Sequence, residues 1–218
     1  MIIAIDGPAG AGKSTVAKRI ARKLGFLYID TGAMYRALTL KVLEEKIGIE
    51  DAAQIIHIAS GINICLLNNP DGSLKVLLDG KDVTTLIRQP RITKFVSDIA
   101  KIRAVRECMV KLQRELGTQR DSVLDGRDIG TVVFPQAEKK FYLDADFKER
   151  VSRRHKELIE TGLSISAHEV DADLKNRDTI DSTREVGPLR RAQDAVYLDT
   201  SNLTIEEVVQ RILSYIHL

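Results

Sequence analysis

The chain has 218 residues, 44% hydrophobic and 29% charged, the make-up of a globular protein with enough length for one good core. Lys and Arg number 33 against 31 Asp and Glu, a formal net charge of +2. This excludes the broad basic excess of a nucleic-acid binder and leaves any anion binding to local clusters. No apolar run approaches the roughly 20 residues of a membrane span. Met1-Ile2-Ile3-Ala4-Ile5 runs straight into Asp6 and Gly7 with no basic segment or cleavage site, so no signal peptide is expected. Cys65 and Cys108 share no metal-ligand spacing and read as reduced thiols filling the core of a cytoplasmic protein.

Ile2 to Asp6 is a β-branched apolar run, the pattern of a central parallel strand. Val16, Ala17, Ile20, Ala21 and Leu24 form a helical stripe over Ser14 to Leu24, and Gly25 supplies the stop. Phe26 to Ile29 reads as a second strand. Met34, Leu38 and Val42 mark a helix ending near Gly48, and a short helix is expected over Asp51 to Ala59. The texture changes at about Ile62. There Leu74, Val76 and Leu78 alternate with other residues between turn signals at Asn69-Pro70-Asp71-Gly72 and Asp79-Gly80, which predicts a small antiparallel hairpin insert.

Two helices are expected next, over Ile92 to Ile102 and Ala104 to Leu116. Ser122 to Leu124 and Lys140 to Leu143 read as strands, the second followed by a charged helix through Glu160. Gly162 to Arg191 is polar and arginine-rich. Ala195 to Leu198 is the last strand and Thr204 a plausible N-cap for a final helix over Ile205 to Ile216. Strands alternating with helices predict an α/β fold, a five-stranded parallel sheet covered on both faces, with the site at the strands' C-terminal ends. A single domain is expected, with a core of about 1–61, 104–160 and 192–218, an insert of about 62–103 and a helical lid of about 162–191.

Gly7-Pro8-Ala9-Gly10-Ala11-Gly12-Lys13-Ser14 matches G-x-x-x-x-G-K-[ST] between a predicted strand and a predicted helix. Its glycines let the backbone wrap a phosphate with N–H groups, and the helix N-terminus adds partial positive charge. Lys13 is expected to reach the β- and γ-phosphates of ATP and the Ser14 hydroxyl to ligate Mg²⁺, with Thr15 completing the ATP-binding set. A P-loop alone names no acceptor.

Three further segments carry dense polar groups at expected strand ends or in the polar stretch: Asp30-Thr31-Gly32-Ala33-Met34-Tyr35-Arg36, Asp125-Gly126-Arg127-Asp128-Ile129-Gly130-Thr131, and Arg177-Asp178-Thr179-Ile180-Asp181-Ser182-Thr183-Arg184. Together with the P-loop and the hairpin insert they resemble the bacterial cytidylate kinase family over essentially the whole chain, most specifically in the run Asp125 to Pro135. The resemblance implies a three-layer P-loop kinase fold and transfer of phosphate from ATP to CMP or dCMP, with Mg²⁺. It implies that Arg36 and Arg127 hold the acceptor phosphate, that Ser97, Arg106 and Asp128 read cytosine, and that Asp181 contacts the sugar. Thr31 and Tyr35 would line the acceptor pocket beside Asp125, and Arg177 and Arg184 would close over the phosphates as catalytic groups with Lys13.

Elementary chemistry agrees with such roles. Guanidinium forks match phosphate oxygens, and each charge-assisted bond contributes roughly 1.5–3 kcal/mol net. Cytosine offers an amino donor beside an unprotonated ring nitrogen, which a carboxylate and a guanidinium can read, whereas uracil reverses both. The acceptor phosphate has a second pKa of about 6, so it needs no general base. Arg177 and Arg184 stand seven apart, which equally fits a plain salt-bridged helix. Arg150 and Arg154 either touch ATP or lie on a solvated face, and Asp30 either orients a Mg²⁺-bound water or braces the P-loop. His57, His155, His168 and His217 show no clustering, and none is assigned to catalysis.

An alcohol kinase of the shikimate type is the nearest rival, but its paired-Asp motif is absent, Thr31-Gly32 following Asp30 instead. A nucleotide-gated switch would need no second arginine-lined pocket, and the sequence has no guanine-reading motif of the GTPase type such as N-K-x-D. A monomer with no nucleic-acid or membrane partner is expected.

Overall fold

The computed structural model describes residues 1–160 and 162–216, so His217 lies outside the described residues. Five strands, β1 (Ile2–Asp6), β2 (Leu27–Asp30), β6 (Ser122–Gly126), β7 (Lys139–Asp144) and β8 (Val196–Asp199), form one parallel sheet in the order β2-β6-β1-β7-β8. Ile3, Ala4 and Ile5 of the central strand are fully buried, as an apolar run covered on both faces requires. Register does the rest. Asp6 pairs with Gly126, Ile5 with Asp125 and Asp30 with Asp125, so three carboxylates from distant parts of the chain arrive at one edge of the sheet.

Helices flank that sheet. The helix α1 (Lys13–Leu24) packs against α8 (Ile205–Leu213), while α2 (Thr31–Glu44), α3 (Ala52–Gly61) and α5 (Arg103–Gly117) form a second group. Caps set several ends. Gly25 stops α1 at φ 70°, its N–H donating to the Ala21 carbonyl, and Asp51 N-caps α3 through the Gln54 N–H. Thr204 and Glu207 form a reciprocal capping box at the start of α8.

The insert is larger than a hairpin. β3 (Ile64–Asn68) and β4 (Leu74–Leu78) pair antiparallel as their alternation predicts, and a two-residue β5 (Lys81–Asp82) adds a third strand, too short for periodicity to reveal. Its outer end is fastened to the main sheet. The Asn68 amide accepts from the Tyr28 N–H and donates to the Tyr28 carbonyl, both at 3.0 Å, capping part of the open edge of β2. Next come α4 (Pro90–Ala100), which opens on a proline as helices favour, and α5. Cys65 is exposed on β3 rather than core filler, because alternation turns it outward, while Cys108 is half-buried against the core; both are free thiols.

After β6 the chain makes one π-helical turn, Ile129–Val133, which the sequence pattern does not predict. The charged helix α6 (Phe147–Glu160) follows β7, and the polar stretch contains a long helix α7 (Ala167–Thr183), N-capped by Ser166 with Glu169. The helix α7 is held by a small second core in which Val170 and Leu174 meet Leu158 of α6 and Ala9. Among the described residues no helix is long and apolar enough to cross a membrane.

Candidate active site

The glycine loop joins β1 to α1 under tight constraint. Gly7 sits at φ 146°, and a Cβ there would lie 1.9 Å from the Leu143 carbonyl oxygen, so only glycine lets the loop pass the end of β7. Gly12, the N-cap of α1, is left-handed and offers no side-chain cap, which leaves the first-turn N–H groups of α1 open for an anion. Lys13 is buried and its ammonium donates to the Pro8 carbonyl at 2.6 Å. Burial, reinforced by the Arg127 charge, pulls the Lys13 pKa down to about 7.

A hydrogen-bonded chain runs beside it. The Ser14 hydroxyl donates to one Asp125 carboxylate oxygen at 2.7 Å and the Tyr28 hydroxyl to the other at 2.9 Å. Burial, followed by the nearby Asp30 charge, pushes Asp125 up to about 6. Among the described residues no cluster of three or more His, Cys, Asp or Glu could hold a metal by itself. A hydroxyl and a carboxylate at the mouth of a phosphate cradle nevertheless suit Mg²⁺, which takes few protein ligands and completes its shell with phosphate oxygens and water. Asp6 closes the other side, its buried carboxylate accepting from the Ile129 and Gly130 N–H groups at 2.8 Å each, and burial pushes it up to about 7. Asp6 and Tyr28 escape sequence reasoning. The only signal for Asp6 is a charge ending an apolar strand.

Across the cleft stand the arginines. Arg36, on α2, holds both oxygens of Asp30 at 3.1 and 3.3 Å, and Asp30 also N-caps α2 through the Ala33 N–H. Asp30 therefore braces α2 and Arg36, not the P-loop. The Arg127 Nε donates to Asp181 at 2.9 Å, and Asp181 also meets Ser97 and Arg184, each at 3.4 Å. Burial raises Asp181, but Arg127, Arg184 and Arg177 outweigh it and hold the carboxyl below its ordinary value. Arg106 and Asp128 form an almost fully buried ion pair, with Arg184 3.6 Å from the same carboxylate and the Tyr35 ring 5.6 Å from the Arg106 guanidinium. The Thr31 hydroxyl donates to the Asp125 carbonyl at 2.6 Å.

Most of these groups line one cavity of about 440 Å³, with Ala9, Gly10, Gly12, Lys13, Ser14 and Thr15 on one wall and Thr31, Tyr35, Arg36, Ser97, Arg106, Asp125, Arg127, Asp128 and Asp181 on the other, while Asp6 lies outside it. Arg177, from α7, and Arg184, its C-cap residue, reach into the same space and are buried, so they are not the exposed faces of a salt-bridged helix. Gly7, Pro8 and Ala11 lie behind the wall as parts of the loop. Arg154 lines the cavity and pairs with Glu157 at 2.8 Å. Arg150 departs from expectation. It neither lines the cavity nor faces solvent, because its guanidinium is spent on the Ala9 and Ala145 carbonyls and on Asp178.

The walls carry unspent hydrogen-bond donors on ion-paired arginines. Among the described residues, Arg36, Arg154 and Arg177 each leave a buried Nε–H, and Arg184 a buried Nη2, without a hydrogen-bond partner. In folded proteins such donors are usually met by water, an ion or a ligand. Burial and the Arg127 charge depress the Arg177 pKa to about 10. Two groups of N–H and guanidinium donors thus face one another across a single cleft.

The family model described as cytidylate kinase matches residues 3–218. The chain is 51% identical over 214 residues to the cytidylate kinase of Desulforamulus reducens, covering 98% of this chain and 96% of that one. It is 50% identical over 211 residues to the cytidylate kinase of Caldicellulosiruptor saccharolyticus, covering 97% and 93% respectively. Among solved structures, the shikimate kinase of Bacteroides thetaiotaomicron superposes with a TM-score of 0.50 at 13% identity, over 100% of this chain and 99% of that one, a likeness of fold alone. The chain belongs to the cytidylate kinase family and is an enzyme, a nucleoside monophosphate kinase.

Proposed function

We propose that this enzyme transfers the γ-phosphoryl group of ATP to CMP or dCMP, yielding ADP and CDP or dCDP, as a cytoplasmic monomer of pyrimidine nucleotide metabolism. The observation that carries the reading is the set of orphaned guanidinium N–H groups of Arg36, Arg154, Arg177 and Arg184 around the cleft that the P-loop opens on. An acceptor bearing its own phosphate satisfies them. A neutral alcohol acceptor leaves most of them unpaired.

In this reading the loop N–H groups and Lys13 hold the β- and γ-phosphates, while Arg36 and Arg127 orient the acceptor phosphate in line with the γ-phosphorus. An acceptor oxygen forms the new P–O bond as the bond to ADP breaks, and no protein base takes a proton because that oxygen is already ionised. Arg177 and Arg184 neutralise charge spread over the transferring group. Ser14 and Asp125 are the groups that would hold Mg²⁺, which supplies charge neutralisation on the phosphate oxygens. The carboxylate of Asp128 suits the cytosine amino group and Arg106 the ring nitrogen. Ser97 and Asp181 lie where a sugar hydroxyl or base edge would fall, and how far dCMP matches CMP depends on that contact. Thr31 and Tyr35 shape the pocket.

A coupled assay for ADP formation, offering CMP, dCMP, UMP, AMP and shikimate with ATP and Mg²⁺, tests this directly. CMP and dCMP are expected to turn over, with UMP at least about 100-fold poorer in kcat/KM because reversed partners leave buried polar groups unpaired. Equal use of UMP and CMP would remove the base-reading role of Asp128, and turnover of shikimate alone would overturn the reading.

A further inference from the structure

Arg150 lies in the first turn of α6 and carries a full charge, yet only 8% of it is exposed. Its guanidinium joins three segments. Nε donates to the Ala145 carbonyl at 3.1 Å, while Nη1 donates to the Ala9 carbonyl of the phosphate loop at 3.0 Å and to the Asp178 carboxylate of α7 at 2.5 Å. The loop also rests on the same residue: a Cβ on Gly10 would lie 2.9 Å from the Arg150 carbonyl oxygen and 3.0 Å from its Cβ. Around this polar centre close the apolar contacts of Ala9 with Leu158, Val170 and Leu174.

The same helix is anchored on the opposite wall. Asp181, three residues after Asp178 and so a near neighbour on the α7 surface, holds Arg127 at 2.9 Å. Thus α7 spans the cleft with one carboxylate fixed to each side, and Arg177, next to Asp178, reaches into the space between. A charge-assisted bond in a water-poor site is strong and geometrically demanding, so it transmits a change of loop shape rather than absorbing it.

We propose that Arg150 and Asp178 are positioning residues that lock α7 to the phosphate loop, so that Arg177 stands over the cleft when the loop holds a triphosphate. Neither side chain lines the cavity; they act through the loop carbonyl and through α7. The consequence for transfer rests on the proposed function, whereas the coupling of loop to helix does not.

Amide hydrogen exchange of the intact chain, with and without a nonhydrolysable ATP analogue, tests the lock. In the wild type the analogue is expected to slow exchange along both α1 and α7. In Asp178→Asn, which keeps the shape and leaves Arg150 its two carbonyls, protection of α1 should persist while that of α7 falls about tenfold. Equal protection of α7 in both proteins would overturn the proposal.

Kinetics give an independent reading. Arg150→Ala and Asp178→Ala are each expected to lower kcat about tenfold with KM for CMP changed less than about twofold, and the double variant should be no slower than the slower single. Losses that multiply would show two unrelated effects and would also overturn it. If Arg150→Ala does not fold, Arg150→Lys serves in its place. A wild type inactive on CMP would refute the functional reading alone, since the exchange experiment needs no acceptor.

Discussion

Lys13→Ala is expected to lower kcat for phosphoryl transfer by about 10³-fold or more, without loss of the fold. Lys13 is the cation of the loop wall, the side chain that an extended α1 N-terminus cannot replace. Its hydrogen-bond partner is the Pro8 carbonyl, a neutral acceptor that it would exchange for phosphate oxygens. It is a buried charge near Arg127 and Arg177, which burial and those cations disfavour more than Asp125 and Asp6 favour it, so it adds little to the stability of the fold.

The sign of the stability effect follows from that burial. The folded pKa is lowered to about 7, so below that pH the residue is charged in both the folded and unfolded chains and its burial costs in full. As pH rises from about 7 toward the ordinary lysine value, the folded chain sheds the proton while the unfolded chain keeps it, and the wild type gains stability. Nucleotide-free Lys13→Ala should therefore melt no lower than wild type at pH 6, with the difference shifting toward the wild type by pH 9. Thermal melts of both proteins across this range check it. A variant destabilised most at low pH would contradict the account.

Asp128→Ala has the second large expected effect, and it acts on both stability and specificity. Removing this carboxylate leaves Arg106, one of the largest fully buried side chains, without its counter-charge, and also takes away a neighbour of Arg184. Breaking one partner of a buried pair costs about 3–5 kcal/mol, much of it the penalty of an uncompensated charge. Denaturant unfolding should show a loss of that size. Asp128→Asn keeps an acceptor oxygen and should be milder. In the folded fraction kcat/KM for CMP should fall more than that for UMP, so that discrimination shrinks. An equal fall for both nucleotides would confine Asp128 to a structural role.

Legibility of this site in the sequence followed the range of the interactions. The phosphate loop is local: eight consecutive residues carry its glycines, its lysine and its place between a strand and a helix, and all three reappear in the structure. The five strands were legible because each is a short apolar run, and they fell within a residue or two of their observed bounds. Cleft arginines such as Arg36 and Arg127 were marked by their position just past a strand. Their gathering with Arg177 and Arg184 rested on family resemblance, since residues 36 and 184 have no spacing relation.

The contacts that were not legible span most of the chain. Tyr28 meets Asp125, and Asp6 meets Ile129 and Gly130, only because parallel strands distant in sequence align in register. Arg150 illustrates the other failure. An arginine beside a P-loop looks like a nucleotide ligand, but here the approach of α7 supplies Asp178 and turns the guanidinium inward. The two-residue β5 and the π-helical turn after Asp128 leave no periodic trace at all.

In the proposed reaction a triphosphate site and a monophosphate site share one cleft and face each other. Competition by a bisubstrate compound, in which adenosine and cytidine are joined 5′ to 5′ through a chain of phosphates, measures this most directly. Inhibition competitive with both ATP and CMP is expected, with binding tighter than either nucleotide alone because one molecule fills both walls. Inhibition competitive with ATP but not with CMP would place the acceptor elsewhere and contradict it.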